Sequence, residues 1–583
     1  MPSSSLPRQG DGAASAVESV SPLVRLLRSS PAELREVADV RVLGSEGALW
    51  LGVVGVGLAM RLVGLAAQPL TPGESALALQ AWSLWEQTLR EPLLAGPAFV
   101  HLLTATMFLF TPSDLAARAP AALCGLALVV LAWGLRGWIG GRAALAAGFL
   151  LAVSPLAVLA SRTVSPAAPL MLTLFLLVIA ARKAVVAKSV NAATAAAVAL
   201  GLAVALDTAA VPQLIALAVA AAAAWGRSAI EAARGGAMDW LPWRRLVLVA
   251  GLTAALASTG LLSNPSGFQV GVVDTWLAWT ADLAARSGRG VALILLYEAP
   301  LLLLGAVALV ASRANLDDAV RRSVRFCALW LLLAALPVAL AARPDLTHVG
   351  PPLVPLALLA GHGLAALAPE KLADGASWRR PLLVVGAGLV IALFVGLSVT
   401  MSVEAGRGVN RWVVALGAVA LVWLVAVTLG WLDDGERRLL ALSLAVALLL
   451  ALTVAPALRL NHGVPAVEPA RPVVTLEAAR AVRERASLWA RQHPGAPIVV
   501  DARLRPVLGW YLRELPVDYQ QEPPAVTRSL LLDVAPTEGR YERRAVWIEA
   551  QWQAAPGALD VWRWWFHRRG IVAPAVNAII LVH

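Results

Sequence analysis

Apolar runs of about twenty residues, repeated from residue 47 to residue 456, constrain this chain more than any other feature. A helix that crosses the hydrocarbon core needs ~20 consecutive apolar residues, because the core is ~30 Å thick and each residue rises ~1.5 Å. The runs fall at 47–67, 119–136, 142–160, 167–182, 190–208, 210–226, 244–262, 290–311, 324–342, 350–368, 380–400, 411–431 and 438–456. Only 15% of the residues are charged, where a soluble chain carries about 25%, and mean hydropathy is +0.72. The chain is therefore predicted to be an all-α polytopic membrane protein with about 13 transmembrane helices.

The formal net charge of +11 raises the possibility of a nucleic-acid partner. The distribution excludes it. Basic residues sit in short clusters between apolar runs, as the positive-inside rule expects, and not on one face with aromatics. Cys124 and Cys327 both lie inside apolar runs, and no CxxC or Cys/His metal spacing exists. The first apolar run starts near Ala48, which reads as a retained signal anchor and not a cleaved leader.

Residues 1–46 form a cytoplasmic N-terminal segment, Ser/Gly/Ala-rich and expected to be disordered over its first twenty or so residues. The stretch from 21 to 44 has helical spacing and several Arg, which suits either a solvated helix or one lying on the inner membrane surface. The apolar segment 96–111 is short and is expected to be interfacial. Charge decides this. If it does not cross, the clusters at Arg136/Arg142, Arg182/Lys183/Lys188, Arg227/Arg234/Arg244/Arg245, Arg313/Arg321/Arg322/Arg325, Lys371/Arg379/Arg380 and Arg437/Arg438 all fall inside. If it crosses, they all fall outside. The transmembrane part is thus 47–456, with an outer loop at 68–118 and a second at 263–289 carrying Trp276 and Trp279. The N-terminus is placed in the cytoplasm and the multi-pass chain in the plasma membrane.

Composition changes again at 457–583, where charges become frequent. LEAARAVRERASLWARQH and RPVLGWYLREL read as helices; APIVVDA, SLLLDV, RRAVWIEAQW and NAIILVH read as strands. The alternation predicts a small extracytoplasmic α/β domain. VWRWWFHRRG suits either membrane-interface contact or ordinary packing.

Glu74, in QPLTPGESALALQAW, lies just outside the first run. A carboxylate there can act as a general base or hold a divalent cation. Thr71-Pro72-Gly73-Glu74 also fits a capping box, with Thr as N-cap, Pro at N1 and Glu at N3, and residues alone favour the cap. His101 sits in the short apolar helix, where it either contacts a polar substrate or is structural. Arg118 and Arg162 lie at outer ends of runs and suit either a phosphate or interfacial anchoring. Ser113 or Asp114 is placed as the cap of the second span.

The order of these elements resembles the GT-C superfamily of membrane glycosyltransferases: a first span, QPLTPGESALALQAW, LAGPAFVHLLTATMFLFTPSDLAARAPAALCG, then GGRAALAAGFLLAVSPLAVLASR. GPAFVH, SNPSGFQVGVVDTWLAW, LLYEAPLLLLG and RPVLGWYLRELPVDY are similar to motifs of its flippase-activity-associated branch, the last through Trp510, Tyr511, Leu512 and Arg513. VWRWWFHRRG is similar to that branch's closing segment. The resemblance implies sugar transfer from a polyprenyl-phosphate donor on the outer face. Glu74 would then be the base, and Arg118, Arg162, His101 and His348 would contact substrate. The departures bear on this. The family's first-loop pair usually reads Asp-Glu, and here Gly73 precedes Glu74; Ser161-Arg162 is followed by TVSPAAP, with no acid; a later motif retains Thr347-His348. One Glu makes a poor divalent-cation site. The implied partners are membrane lipid and a polyprenyl-phosphate-linked sugar. A catalytically inactive GT-C protein that binds such a lipid or a partner, and a lipid or sugar transporter, are the alternatives; no inverted repeat supports the transporter. If the tail caps the outer cavity, deleting 465–583 should leave a folded membrane part with altered binding.

Overall fold

The computed structural model describes residues 45–88, 96–234, 240–274, 289–314, 318–341, 346–367, 386, 419, 434–462, 468–521, 530–533, 542–553 and 571–582. The runs at 380–400 and 411–431, the 21–44 segment, Trp276, Trp279 and VWRWWFHRRG lie outside these residues.

Helix α1 (Ser45–Leu62) is followed by two short helices, α2 (Pro72–Trp85) and α3 (Pro97–Leu109). At ~1.5 Å per residue α3 spans roughly 20 Å, too short for a bilayer. Gly96 starts it at φ 96°, and a Cβ there would sit 2.6 Å from the Leu206 carbonyl oxygen, so the entry to α3 depends on glycine. Next come α4 (Asp114–Leu131), α5 (Gly141–Val153), α6 (Pro155–Arg162), α7 (Ala167–Ala187), α8 (Val190–Leu206), α9 (Ala210–Arg234) and α10 (Trp243–Ser258). They continue with α11 (Arg289–Tyr297), α12 (Ala299–Ala314), α13 (Asp318–Leu340), α14 (Leu346–Leu367) and α15 (Asp434–His462). The last of these runs on past Pro456, beyond the boundary read from composition, with Arg459 and His462 in its final turn and His462 Nε2 donating to the Met60 carbonyl at 3.0 Å.

Among the described residues, five helical stretches are long and apolar enough to cross a membrane: 114–139, 167–187, 318–340, 346–367 and 440–462. Two bent pairs, α5–α6 at 58° and α11–α12 at 82°, bring the number to seven if each pair is one span.

The α5–α6 break has a local cause. Pro155 lacks an N–H, so the helical ladder stops there and Ser154 caps the restart, its Oγ accepting from Ala157 N at 3.2 Å. Two buried side chains dress the two new ends. Fully buried Arg61 donates to the carbonyls of Leu151 (2.9 Å) and Ala152 (3.1 Å), where α5 ends. Fully buried Glu298 accepts from Ser154 Oγ (2.7 Å) and Leu156 N (3.0 Å), where α6 begins. The carbonyls and the amide freed by the break thus find side-chain partners.

Beyond α15 lie β1 (Val473–Thr475), α16 (Ala478–Gln492), β2 (Ile498–Asp501), α17 (Arg505–Leu512), β3 (Val517–Gln520), β4 (Leu530–Asp533), β5 (Glu542–Gln553) and β6 (Ile571–Val582). The strands form one sheet in the order β1-β5-β6-β4-β2-β3. β2 pairs in parallel with β3 and β4; the other pairings are antiparallel. β1 is not expected from the sequence, VVT being too short for a period to show, whereas β3 stands where the RPVLGWYLRELPVDY resemblance implies a strand after Arg513. One continuous core joins this region to α2 and α3. Leu70, Ala78, Phe99, Val100 and Leu103 are fully buried together with Ile498, Val500, Leu508 and Trp510.

Candidate functional site at the Glu74 loop

The connector from α1 to α2 is wrapped by arginines. Arg162 Nη1 donates to the carbonyls of Met60 (3.2 Å), Arg61 (3.1 Å) and Val63 (2.8 Å), and its Nη2 to Gly64 (3.0 Å). Arg118 donates to Leu65 (3.1 Å), Gln68 (2.6 Å) and Pro69 (3.0 Å). Arg480, from α16, reaches Ala66 (2.9 Å) and Ala67 (3.3 Å). A connector with few side-chain acceptors must satisfy its carbonyls somehow, and planar guanidinium forks serve several at once.

Glu74 closes this cluster. Both capping-box bonds form: Thr71 N donates to Glu74 Oε2 at 2.8 Å, and Glu74 N donates to Thr71 Oγ1 at 3.4 Å. The same carboxylate also pairs with Arg118 through two bonds of 2.9 Å, Nε to Oε1 and Nη2 to Oε2. Val164 N, from the turn after α6, donates to Oε1 at 2.9 Å. Each oxygen thus accepts two bonds, and both side chains of the pair are 5% exposed. Burial alone would raise the Glu74 pKa. The charge and hydrogen bonds of Arg118, with the Thr71 and Val164 amides, outweigh it and hold the carboxyl at about 2.

Arg471, which the sequence reading did not single out, completes the cluster. It donates to Gln68 Oε1, its backbone N–H donates to the Glu468 carbonyl at 2.8 Å, and its buried Nε has no partner. Burial depresses its pKa; Glu74 and Glu468 oppose the shift while Arg118 adds to it, so all four charges share one neighbourhood. Arg162 lies within electrostatic reach of Arg118 and Arg471. Buried Glu468 accepts from Tyr297 Oη at 2.7 Å. Arg118, Arg162 and Arg471 thus share one neighbourhood with Glu74 and Glu468, and Arg118 also feels Asp114, the partner of Arg480. A signal for Arg471 existed only in its context, EPARPVV, just past the last span.

The other expected residues lie elsewhere. His101 Nε2 donates to the Ser258 carbonyl at 3.2 Å, and the ring sits against Gly260, joining α3 to the end of α10. Burial lowers its pKa, against the effect of that carbonyl. His348 is half-buried in the first turn of α14. Ser113, not Asp114, caps α4 through Ala116 N at 3.2 Å. Asp114 is thereby free to hold the C-terminal region: it accepts from Arg480 Nη2 (2.7 Å) and Trp510 Nε1 (2.8 Å). Tyr511 Oη accepts from Leu70 N at 2.7 Å, and Arg513 donates to the Pro112 carbonyl at 3.0 Å. The Trp510–Arg513 motif thus docks onto the loop that carries Glu74. Among the described residues, no group of three His, Cys, Asp or Glu side chains converges, so the donors do not fit a divalent cation.

Residues 92–234 match the family model for dolichyl-phosphate-mannose-protein mannosyltransferase. No curated protein matches the chain. Among solved structures it is similar to ArnT from Cupriavidus metallidurans bound to undecaprenyl phosphate, at 17% identity and a TM-score of 0.55, covering 91% of this chain and 97% of that one. The apo form of ArnT matches at 18% identity and a TM-score of 0.52, covering 80% of this chain and 84% of that one. Archaeal oligosaccharyltransferase AglB from Archaeoglobus fulgidus matches at 12% identity and 0.44, covering 80% and 63%.

Proposed function

We propose that this chain, which carries the fold of the GT-C membrane glycosyltransferases, binds a polyprenyl-phosphate-linked sugar at the outer face of the cell membrane and transfers the sugar to an acceptor. Three guanidiniums gathered at the connector, with Arg471 Nε buried and unpartnered, carry this reading. Such a site has an unmet demand for an anion, and a phosphodiester supplies one. The charge clusters that place the N-terminus inside put the Glu74 loop and the C-terminal sheet outside.

In this mechanism Arg471 holds the donor phosphate, with Arg118 and Arg162 adding positive potential. The acceptor oxygen attacks the anomeric carbon while the bond from that carbon to the phosphate oxygen breaks. The leaving group is the polyprenyl phosphate, and a base takes the acceptor proton. Glu74 is the candidate base, and it must release one of its present hydrogen bonds to serve. A carboxyl held at about 2 is a weak base, which favours a second reading: the same fold binding a lipid-linked sugar without turnover.

The test is release of undecaprenyl phosphate from undecaprenyl-phosphate-linked sugars by the purified chain, beside Glu74→Gln and Arg471→Met. Release by wild type and not by a folded Glu74→Gln supports transfer. Carrier binding without release, lost in Arg471→Met, supports the second reading. Carrier binding unaffected by Arg471→Met removes Arg471 from the phosphate site.

A further inference from the structure

A cavity of about 810 Å³ lies far from the Glu74 loop, between α12 and α13, with α11 contributing Val291, Ile294 and Leu295. Its walls are mostly Leu, Val and Ala, and several of these face outward: Leu295 is 57% exposed, Leu309 39% and Leu332 64%. Arg321, Arg322 and Arg325 line one end.

The fold tells which side of the membrane that end occupies. A Cβ on Gly350, at the start of α14, would meet Met171 and Ala167, which open α7 close behind Val164, the partner of Glu74. One on Gly361, near the end of α14, would meet Ala143 at the start of α5. His362 Nε2 lies 3.1 Å from Ser323 Oγ in the first turns of α13. The N-terminus of α13 therefore lies on the side opposite the Glu74 loop. Aromatic and basic residues mark the same level. Trp225 packs on Phe326 at 4.9 Å between centroids, and Arg182 lies 5.0 Å over Trp138. Trp and Arg gather in this way where a bilayer meets water.

We infer that this groove binds an anionic phospholipid of the leaflet opposite the Glu74 loop, its acyl chain between α12 and α13 and its phosphate at Arg321, Arg322 and Arg325. The charge balance supports this occupant. Residues 313–325 hold four arginines and two aspartates, a net of +2. Asp318 contacts Arg321 at 3.4 Å, and among the described residues no carboxylate pairs with Arg322 or Arg325. From Arg321 to Ala335, α13 rises roughly 21 Å, the reach of one acyl chain. A neutral lipid would fill the apolar part equally well. Only an anionic headgroup answers the arginines, and each basic side chain near the surface adds to that preference.

The test is native mass spectrometry of the full chain in detergent, titrated with phosphatidylglycerol or phosphatidylcholine. Phosphatidylglycerol should be retained at least ~10-fold more tightly. The preference should vanish in Arg321→Gln/Arg322→Gln/Arg325→Gln, with the melting temperature in detergent confirming that the variant is folded. Leu332→Trp, which fills the groove and leaves the charges in place, should weaken phosphatidylglycerol binding as well. Equal retention of the two lipids, or an undiminished preference in the triple variant, overturns the proposal. So does displacement of phosphatidylglycerol by undecaprenyl phosphate, which would make the groove a carrier site. Loss of transfer activity alone bears on the Glu74 site and not on this one.

Discussion

Glu74 shows how one side chain serves several demands. It completes a capping box, neutralises Arg118 and takes the Val164 amide, all inside a site that is nearly closed to water. Breaking a buried pair by removing one charge leaves the other uncompensated, which costs on the order of 3 kcal/mol. Glu74→Gln is therefore expected to lower the melting temperature measured by differential scanning fluorimetry at pH 7. The pH dependence follows from linkage. The folded pKa of about 2 lies below the ordinary carboxylate value of 4.5, so the pair's contribution is present above 4.5 and is lost as pH falls toward 2. Wild type should lose stability across that window, and Glu74→Gln should lose less. Parallel curves would mean that another group governs the acid limb. The capping box was legible in sequence because it is local, four residues long. The Arg118 pair was not, since 44 positions separate the partners.

Local chemistry at the level of elements explains where helices stop, and remote side chains explain why they can. Pro155 breaks α5 from α6 through its missing N–H, a feature visible in the sequence. That break inside an apolar bundle is tolerable because Arg61 and Glu298 satisfy its two ends. Glu298→Ala should leave the Ser154 hydroxyl and the Leu156 amide unsatisfied, at about 1–3 kcal/mol for each group. The expected result is a lower melting temperature in detergent, with partial recovery in Glu298→Gln, which keeps an acceptor. A second prediction concerns the docking of α17 on α4. Asp114→Ala and Trp510→Phe each remove one end of a 2.8 Å bond. A double-mutant cycle on unfolding should show non-additivity of about 1 kcal/mol or more, and strict additivity would show that this bond is not what couples the two elements.

The C-terminal sheet region, seen in the whole molecule, is not a tethered appendage. Tyr511, Trp510, Arg480 and Arg513 reach Leu70, Asp114, Ala66 and Pro112, and the two regions share one apolar core. Deleting 465–583 would expose Leu70, Phe99 and Leu103 and remove Arg471 from the site. The shared core changes what this deletion should do: the truncated chain is expected to elute as aggregate on size exclusion in detergent, where the full chain elutes as a single species. A monodisperse truncated protein would show that the outer helices hold their packing unaided.

Apolar periodicity and charge placement alone determined the membrane class, the region of spans, the shortness of the 96–111 helix, the strands β2, β4, β5 and β6, and the capping box at Thr71–Glu74. These are legible because each rests on neighbours along the chain, at a spacing of one to four residues or in a run the length of a bilayer. Tertiary structure alone decided which arginines surround Glu74, that Asp114 serves the C-terminal region while Ser113 caps, that Arg471 and Glu468 enter the site, and that Arg61 and Glu298 dress a helix break. Each depends on a guanidinium or carboxylate meeting backbone or side-chain partners tens or hundreds of positions away. In an apolar bundle every buried polar group must find such a partner, and only the folded chain brings the partners together.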